Sequence, residues 1–223
     1  MTSVEPIKAS TIKQFEWCPV EAFIEHLKEI GDERVIASPK TSEALRAGEE
    51  LHEGTFGLRV VVQEEDTGRE ILEKMKRERV TAINHGQYQI QGAPDEVIVD
   101  GDSVRVTDMK TTGWDSKSAY REHQLPPAAF QVRIYSWMLS HVPNVTVENP
   151  KVAVKQREGG TAIDWFTEEI EYDRGETEKK IDRVLSLFET PKKLPELRPD
   201  EDWKCNNDDH WEQFVNNIAL SDL

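Results

Sequence analysis

The sequence predicts an α/β fold with a mixed central sheet flanked by helices. Three observations carry that prediction. Between the apolar runs Val97-Ile98-Val99 and Val104-Arg105-Val106 stands Asp100-Gly101-Asp102, and an Asp-Gly between alternating apolar runs is a strong hairpin signal. Apolar residues at helical spacing fill long stretches on both sides of this hairpin. The elements then run as helices, three strands, a helix, two strands, a helix and a tail. Interleaved strands and helices of this kind cover a sheet with helices.

Taken in order, Ile12, Phe15, Ala22, Phe23 and Leu27 recur at helical spacing over residues 10–30, with Ser10 or Thr11 as the expected N-cap. Cys18-Pro19 interrupts the pattern, so two short helices or one kinked helix are expected. Gly31-Asp32 closes the segment, and a loop leads through Ser38-Pro39 to a long helix over 41–64. One face of that helix carries Ala44, Leu45, Gly48, Leu51, His52, Phe56 and Val60; Gly48 and His52 are one turn apart. A charged helix follows over 68–79, then a strand over 80–90 broken near His85-Gly86. In the hairpin, Asp95 opens the first strand while Asp108 and Lys110 end the second. A polar stretch runs to His123, and Pro126-Pro127 starts a helix over 128–141 that holds Gln131 and Tyr135 one turn apart. Strands over 151–155 and 163–170 flank Gly159-Gly160. Ile181, Val184, Leu185 and Phe188 form the apolar stripe of a helix over 177–188. Pro191, Pro195 and Pro199 impose an extended linker before a tail with Cys205, His210 and a short helix around 212–219. The expected organisation is a helical N-terminal segment (1–40), a core (41–190), and a linker and tail (191–223) that packs on the N-terminal segment.

At 223 residues the chain is long enough to bury a sizeable core. Its 28 basic and 43 acidic residues give a net charge of −15, which argues against binding nucleic acid by bulk attraction. A local basic channel is compatible with that balance. No apolar run is long enough to span a membrane. Met1-Thr2-Ser3-Val4-Glu5-Pro6 lacks the pattern of a signal peptide. Two cysteines are too few for a secreted disulfide scaffold. The expectation is a cytoplasmic protein with no membrane partner.

On a strand, residues two apart share a face, so Asp108 and Lys110 project together and Met109 points away. If the hairpin pairs as its turn suggests, Asp95 comes near Asp108. Two carboxylates and an ammonium at one sheet end fit a hard divalent cation and a phosphate. Each residue alone has an ordinary reading: a solvated strand end for Asp108 and Lys110, a core histidine for His52, interface filling for Gln131 and Tyr135, a turn after Pro94 for Asp95. Their ordered combination is far more specific than any member.

Gly48-x-x-x-His52, Pro94-Asp95, Asp108-Met109-Lys110 and Gln131-x-x-x-Tyr135 occur in this order, each on its expected element. The set resembles the RecB-like branch of the PD-(D/E)XK nuclease superfamily. Ser10-Thr11-Ile12-x-x-Phe15-x-x-Cys18-Pro19 is similar to the opening of stand-alone exonucleases of that branch, including CRISPR-associated ones and the AddB nuclease domain. The resemblance implies a restriction-endonuclease-like core. It also implies Mg²⁺ or Mn²⁺ held by Asp95, Asp108, the Met109 backbone carbonyl and His52, an imidazole tilting preference toward Mn²⁺. Lys110 would orient or deprotonate the attacking water, or stabilise charge at phosphorus. Gln131 and Tyr135 would position Lys110 or a phosphate. Trp114, Tyr120 and His123, just after the motif, are candidates for stacking on unpaired bases, with loop packing as the equal alternative.

Iron–sulfur members of the branch hold a [4Fe–4S] cluster with one cysteine before the core and three after it. Cys18 matches the first position and Cys205 lies where the trailing group should be, but four thiolates are required. Either the cluster is lost and the tail packs without it, or His210 and an acid complete another metal site; loss is the expectation. The resemblance as a whole implies a metal-dependent DNA nuclease, an exonuclease on single-stranded ends, in repair, recombination, replication or CRISPR adaptation with protein partners of such a complex. The alternatives are a non-catalytic DNA-binding or assembly subunit that keeps the fold, and a structure-specific endonuclease.

Overall fold

The computed structural model describes residues 4–32, 68–78, 81–92, 94–158, 161–191 and 194. The expected helix over 41–64 with Gly48 and His52, the Gly159-Gly160 turn, and the tail with Cys205 and His210 lie outside the described residues.

The chain opens with a strand absent from the sequence-based expectation, β1 (Glu5–Lys8), which runs straight into α1 (Ala9–Gln14). Lys8 occupies the N-cap position without a side-chain cap bond, so Ser10 and Thr11 lie inside the helix rather than capping it. Residues 15–18 break the helix, and α2 (Pro19–Glu29) restarts it with Cys18 as N-cap. The Cys18 Sγ accepts from the Glu21 N–H at 3.4 Å, and Pro19 stands at the first helical position, where its missing N–H costs nothing. Of the two expectations, the two-helix one holds. Thr11 Oγ1 donates to Glu29 at 2.8 Å and ties α1 to α2.

After α3 (Gly68–Glu78), β2 (Thr81–His85) and β3 (Tyr88–Gly92) form a hairpin turning at Gly86, whose φ of +59° suits glycine. β1 pairs parallel with β3, giving a small sheet in the order β1-β3-β2. The main sheet is built by β4 (Glu96–Asp100), β5 (Ser103–Thr112), β7 (Lys151–Glu158) and β8 (Thr161–Glu169) in the order β4-β5-β7-β8, with the short β6 (Thr146–Val147) beside β5. It is mixed: β4 and β8 pair antiparallel with their neighbours, and β5 pairs parallel with β7. The crossover between the two parallel strands carries α4 (Lys117–His123), in the stretch read from the sequence only as polar, and α5 (Leu125–Leu139). The chain is thus a mixed α/β fold with a central mixed sheet flanked by helices, and the strands before the hairpin form their own small sheet.

The helix that holds the parts together is α5. Phe130, Val132, Ile134, Trp137 and Met138 are fully buried. A helix apolar over most of its surface is buried over most of it: α5 packs on β5 and β7, and also on β2, α1 and α6 (Arg174–Glu189), with Arg133 left partly exposed at the surface. Pro126 and Pro127 are accepted inside its first turn, so the helix begins at Leu125, earlier than expected. α6 is capped by Asp173, which accepts from Glu176 N–H at 2.8 Å, and buries the predicted stripe Ile181, Val184, Leu185 and Phe188.

Candidate active site

The β4–β5 hairpin closes with the pair Asp100 and Ser103, leaving Gly101-Asp102 as a two-residue loop with Gly101 at φ +59°. The hairpin is where the Asp-Gly signal predicts it, but the loop is Gly-Asp rather than Asp-Gly: glycine stands first, as in a type II′ turn, and Asp100 is the last paired residue of β4. Along β5, Val104, Val106 and Asp108 alternate as buried positions, while Met109, next after Asp108, is 39% exposed. The first two are anchored by the core, and the two-residue period carries Asp108 onto the same buried face. β5 runs to Thr112, beyond its expected end at Lys110, because β7 supports it from Thr107 to Thr112.

β4 pairs only as far as Glu96 with Thr107. Continuing that register sets Asp95 opposite Asp108. Beyond this point β5 has lost its β4 partner, and the Met109 N–H donates instead to Asp95 Oδ2 at 2.6 Å. Asp95 and Asp108 are both buried, 6% and 3% exposed. Two carboxylates withdrawn from water at adjacent positions are costly unless cations or donors compensate. Lys110 supplies part of that: its Nζ contacts Asp108 Oδ2 as an ion pair. The contact lacks hydrogen-bond geometry, so Asp108 Oδ2 is a buried oxygen with no hydrogen-bond partner.

Lys110 is held from the other side by α5. Its Nζ donates to Gln131 Oε1 at 2.8 Å, and Gln131 Nε2 donates to the Tyr135 hydroxyl at 2.8 Å. One helical turn separates Gln131 from Tyr135, so both side chains lie on the face toward β5. Gly92 completes the support: a Cβ there would lie 2.2 Å from Tyr135 Cε1. The tyrosine ring occupies the space a side chain at 92 would take.

Asp95, Asp108, Lys110, Gln131 and Tyr135 therefore converge. Trp114, two residues beyond β5, and His123 pack on each other, ring centroids 5.8 Å apart, and both are partly exposed. Tyr120 is 3% exposed, packed edge-on against Trp165 and Phe166. Burial, reinforced by the Asp108 charge, pushes its hydroxyl pKa well up, so it stays protonated. Cys18 is buried and is not a free thiol.

Sequence reasoning missed Lys13. α1 packs on α5 and delivers Lys13 beside Lys110. Burial pushes the Lys13 pKa down to about 7, the neighbouring Lys110 ammonium pushes the same way, and Asp108 opposes both. Lys13 and Lys110 line a cleft of about 230 Å³ with Gln14, Trp17, Thr112 and Gln124. No spacing links residue 13 to residue 110; the only available signal was a basic residue within the Ser10–Pro19 motif.

With this geometry in place, comparisons with known proteins decide the family. A model of the PD-(D/E)XK nuclease superfamily matches residues 52–207. The chain belongs to the PD-(D/E)XK nuclease superfamily. The letters of the signature stand at Pro94-Asp95 and Asp108-Met109-Lys110. The fold is also similar to the crystal structure of SSO0001, at 18% identity and a TM-score of 0.50, covering 98% of this chain and 87% of that one. A search of curated proteins finds no match.

PD-(D/E)XK nucleases generally use divalent metals such as Mg²⁺ or Mn²⁺ and take DNA as substrate class. The residues present fit such an ion: Asp95 and Asp108 are oxygen donors suited to a hard cation, and Asp108 Oδ2 is buried with no hydrogen-bond partner. Among the described residues no group of three or more His, Cys, Asp or Glu side chains is assembled. His52, the further ligand implied by the resemblance, lies outside them.

Proposed function

We propose that this PD-(D/E)XK protein is a metal-dependent deoxyribonuclease of RecB-like type, an exonuclease that hydrolyses phosphodiester bonds at single-stranded DNA ends. The observation that carries the reading is the chain Asp108–Lys110–Gln131–Tyr135, in which a motif lysine on β5 is fixed by a Gln-x-x-x-Tyr pair on the central helix. In a sequence-specific endonuclease nothing requires that helical pair, whereas the RecB-like motif order includes it. Trp114, two residues beyond β5, and the His123 ring packed on it suit stacking on unpaired bases, which a duplex does not offer.

Asp95, Asp108, the Met109 carbonyl and His52 would hold Mg²⁺ or Mn²⁺. Bound there, the ion supplies Lewis-acid charge at the phosphoryl group and acidifies coordinated water. The chain's own residues do the rest. Lys110 places an ammonium where negative charge grows on the phosphoryl oxygens, held between Asp108 and Gln131. The Asp95 carboxylate is oriented by the Met109 N–H. The water oxygen bonds to phosphorus as it gives up a proton to solvent, and the bond to the leaving deoxyribose oxygen breaks, that oxygen taking up a proton from water. Repair, recombination, replication and CRISPR adaptation are the processes such an activity serves, within a complex of protein partners in the cytoplasm.

The test is degradation of end-labelled DNA, single- and double-stranded, linear and circular, with Mg²⁺ or Mn²⁺. Expected are loss of linear single strands and survival of circles. Activity that persists in Asp108→Ala or Lys110→Ala defeats the site. Cleaved circles point to an endonuclease, and binding without cleavage under either metal points to a DNA-binding subunit that keeps the fold.

A further inference from the structure

The cleft beside Lys110 is cationic in a chain that is strongly acidic overall. Among the described residues its lining is Lys13, Gln14, Trp17, Lys110, two threonines, Tyr120, Gln124, Pro127 and Ala128, with no carboxylate. Lys13 makes no ion pair among the described residues, whereas Lys110 has Asp108. Lys13 and Lys110, brought together by α1 and β5, repel each other when both are charged, and that repulsion adds to burial in holding the Lys13 pKa down to about 7. α1 nevertheless stays docked, because Ala9 and Ile12 are fully buried and Thr11 bonds to Glu29. A group bearing negative charge in the cleft would turn this repulsion into a two-point clamp. The remaining walls suit the rest of a nucleotide: hydroxyl and amide groups from Thr111, Thr112, Gln14 and Gln124 for phosphate and sugar oxygens, and the Trp17 ring as an apolar side.

We propose that this cleft receives a phosphate of the DNA strand next to the one cleaved, and that Lys13 is its contact. The inference rests on the nuclease reading and extends it to the N-terminal helix. Lys13 is then a binding residue that holds the strand in register with Lys110 while taking no part in bond breaking. Its loss weakens substrate binding more than it slows turnover.

The test measures binding of a fluorescent single-stranded oligonucleotide to the full chain across a salt series, with Ca²⁺ in place of the catalytic metal. Alongside it, kcat and KM are measured with Mg²⁺ or Mn²⁺. The expected result for Lys13→Met is an affinity loss of about 5- to 10-fold and a salt slope (log K against log salt) about 0.7 shallower, the share of one phosphate on a single strand. KM should rise by a similar factor with kcat changed less than about 3-fold, and Lys13→Arg should restore affinity and slope. Removing a charge from a half-buried site leaves the fold intact, which a melting curve checks. An unchanged slope and KM in Lys13→Met overturns this inference while leaving the nuclease reading standing. A wild-type chain that binds with the expected Lys13-dependent slope yet cleaves nothing overturns the nuclease reading alone, and one that binds no DNA overturns both.

Discussion

Tyr135 stands where a side chain at Gly92 would be: a Cβ there would meet Cε1 at 2.2 Å and Cδ1 at 2.8 Å. The closeness links the end of the small sheet to the central helix, and through Gln131 to Lys110. Gly92→Ala should therefore displace the ring and loosen the lysine three contacts away. The expected destabilisation is about 1–3 kcal/mol, as for other overpacked positions, with kcat lowered although residue 92 touches no reacting atom. A variant that melts and cleaves like wild type would show that the ring moves at no cost.

Gln131 restrains Lys110 by a charge-assisted hydrogen bond at 2.8 Å. Gln131→Leu should reduce kcat/KM by about 10- to 100-fold, equivalent to roughly 1.4–2.8 kcal/mol. Gln131→Glu, which still accepts from the ammonium, should retain more activity. Equal rates for the leucine variant and wild type, measured on the same oligonucleotide, would remove Gln131 from the site.

Asp95 and Asp108 are both buried, with the Lys110 ammonium on Asp108, so a bound cation that adds positive charge there should stabilise the fold measurably. At about one hundred times its Kd, Mg²⁺ or Mn²⁺ adds about 2.7 kcal/mol, a rise of several degrees in Tm. Asp108→Asn should abolish the rise. The same upward shift in that variant would place the ion elsewhere.

His26 is 2% exposed, with Nε2 2.6 Å from the Glu5 carboxylate and Nδ1 lacking any partner. Burial holds its pKa below the ordinary value, although Glu5 and then Glu29 pull the other way. The folded protein thus takes up this proton at lower pH than the unfolded chain. The stability it contributes is complete above the unfolded value of about 6.5 and is lost as pH falls from there through the folded-state pKa. The urea midpoint should drop between about pH 7.5 and about pH 5, and His26→Gln should flatten part of that drop. A midpoint that slopes identically in the two proteins would contradict this.

Trp114, two residues beyond the end of β5, is a partly exposed aromatic. Trp114→Ala should weaken binding of single strands by about 1–3 kcal/mol if one base stacks on it, and leave duplex binding nearly unchanged. Equal losses on both would mean that the ring only packs on His123.

What the sequence determined by itself was whatever short-range chemistry specifies. The glycine turn at 101 located the β4–β5 hairpin, and the two-residue period of β5 then put Asp108 and Lys110 on one side with Met109 opposite. Helical spacing put Gln131 and Tyr135 on one face. These follow from local geometry, so the candidate carboxylates, lysine and helical pair were legible together with the α/β class. The tertiary structure alone decided the rest. β1 has four residues and no hairpin partner in sequence; it exists because β3 offers it a parallel edge. α4 lies in a polar stretch without a long apolar stripe, and burial of Tyr120 against Trp165 and Phe166, far along the chain, fixes its face. Lys13 reaches Lys110 only because α1 and β5 both pack on a helix buried over most of its surface, and that meeting depends on long-range packing, which carries no residue spacing to read.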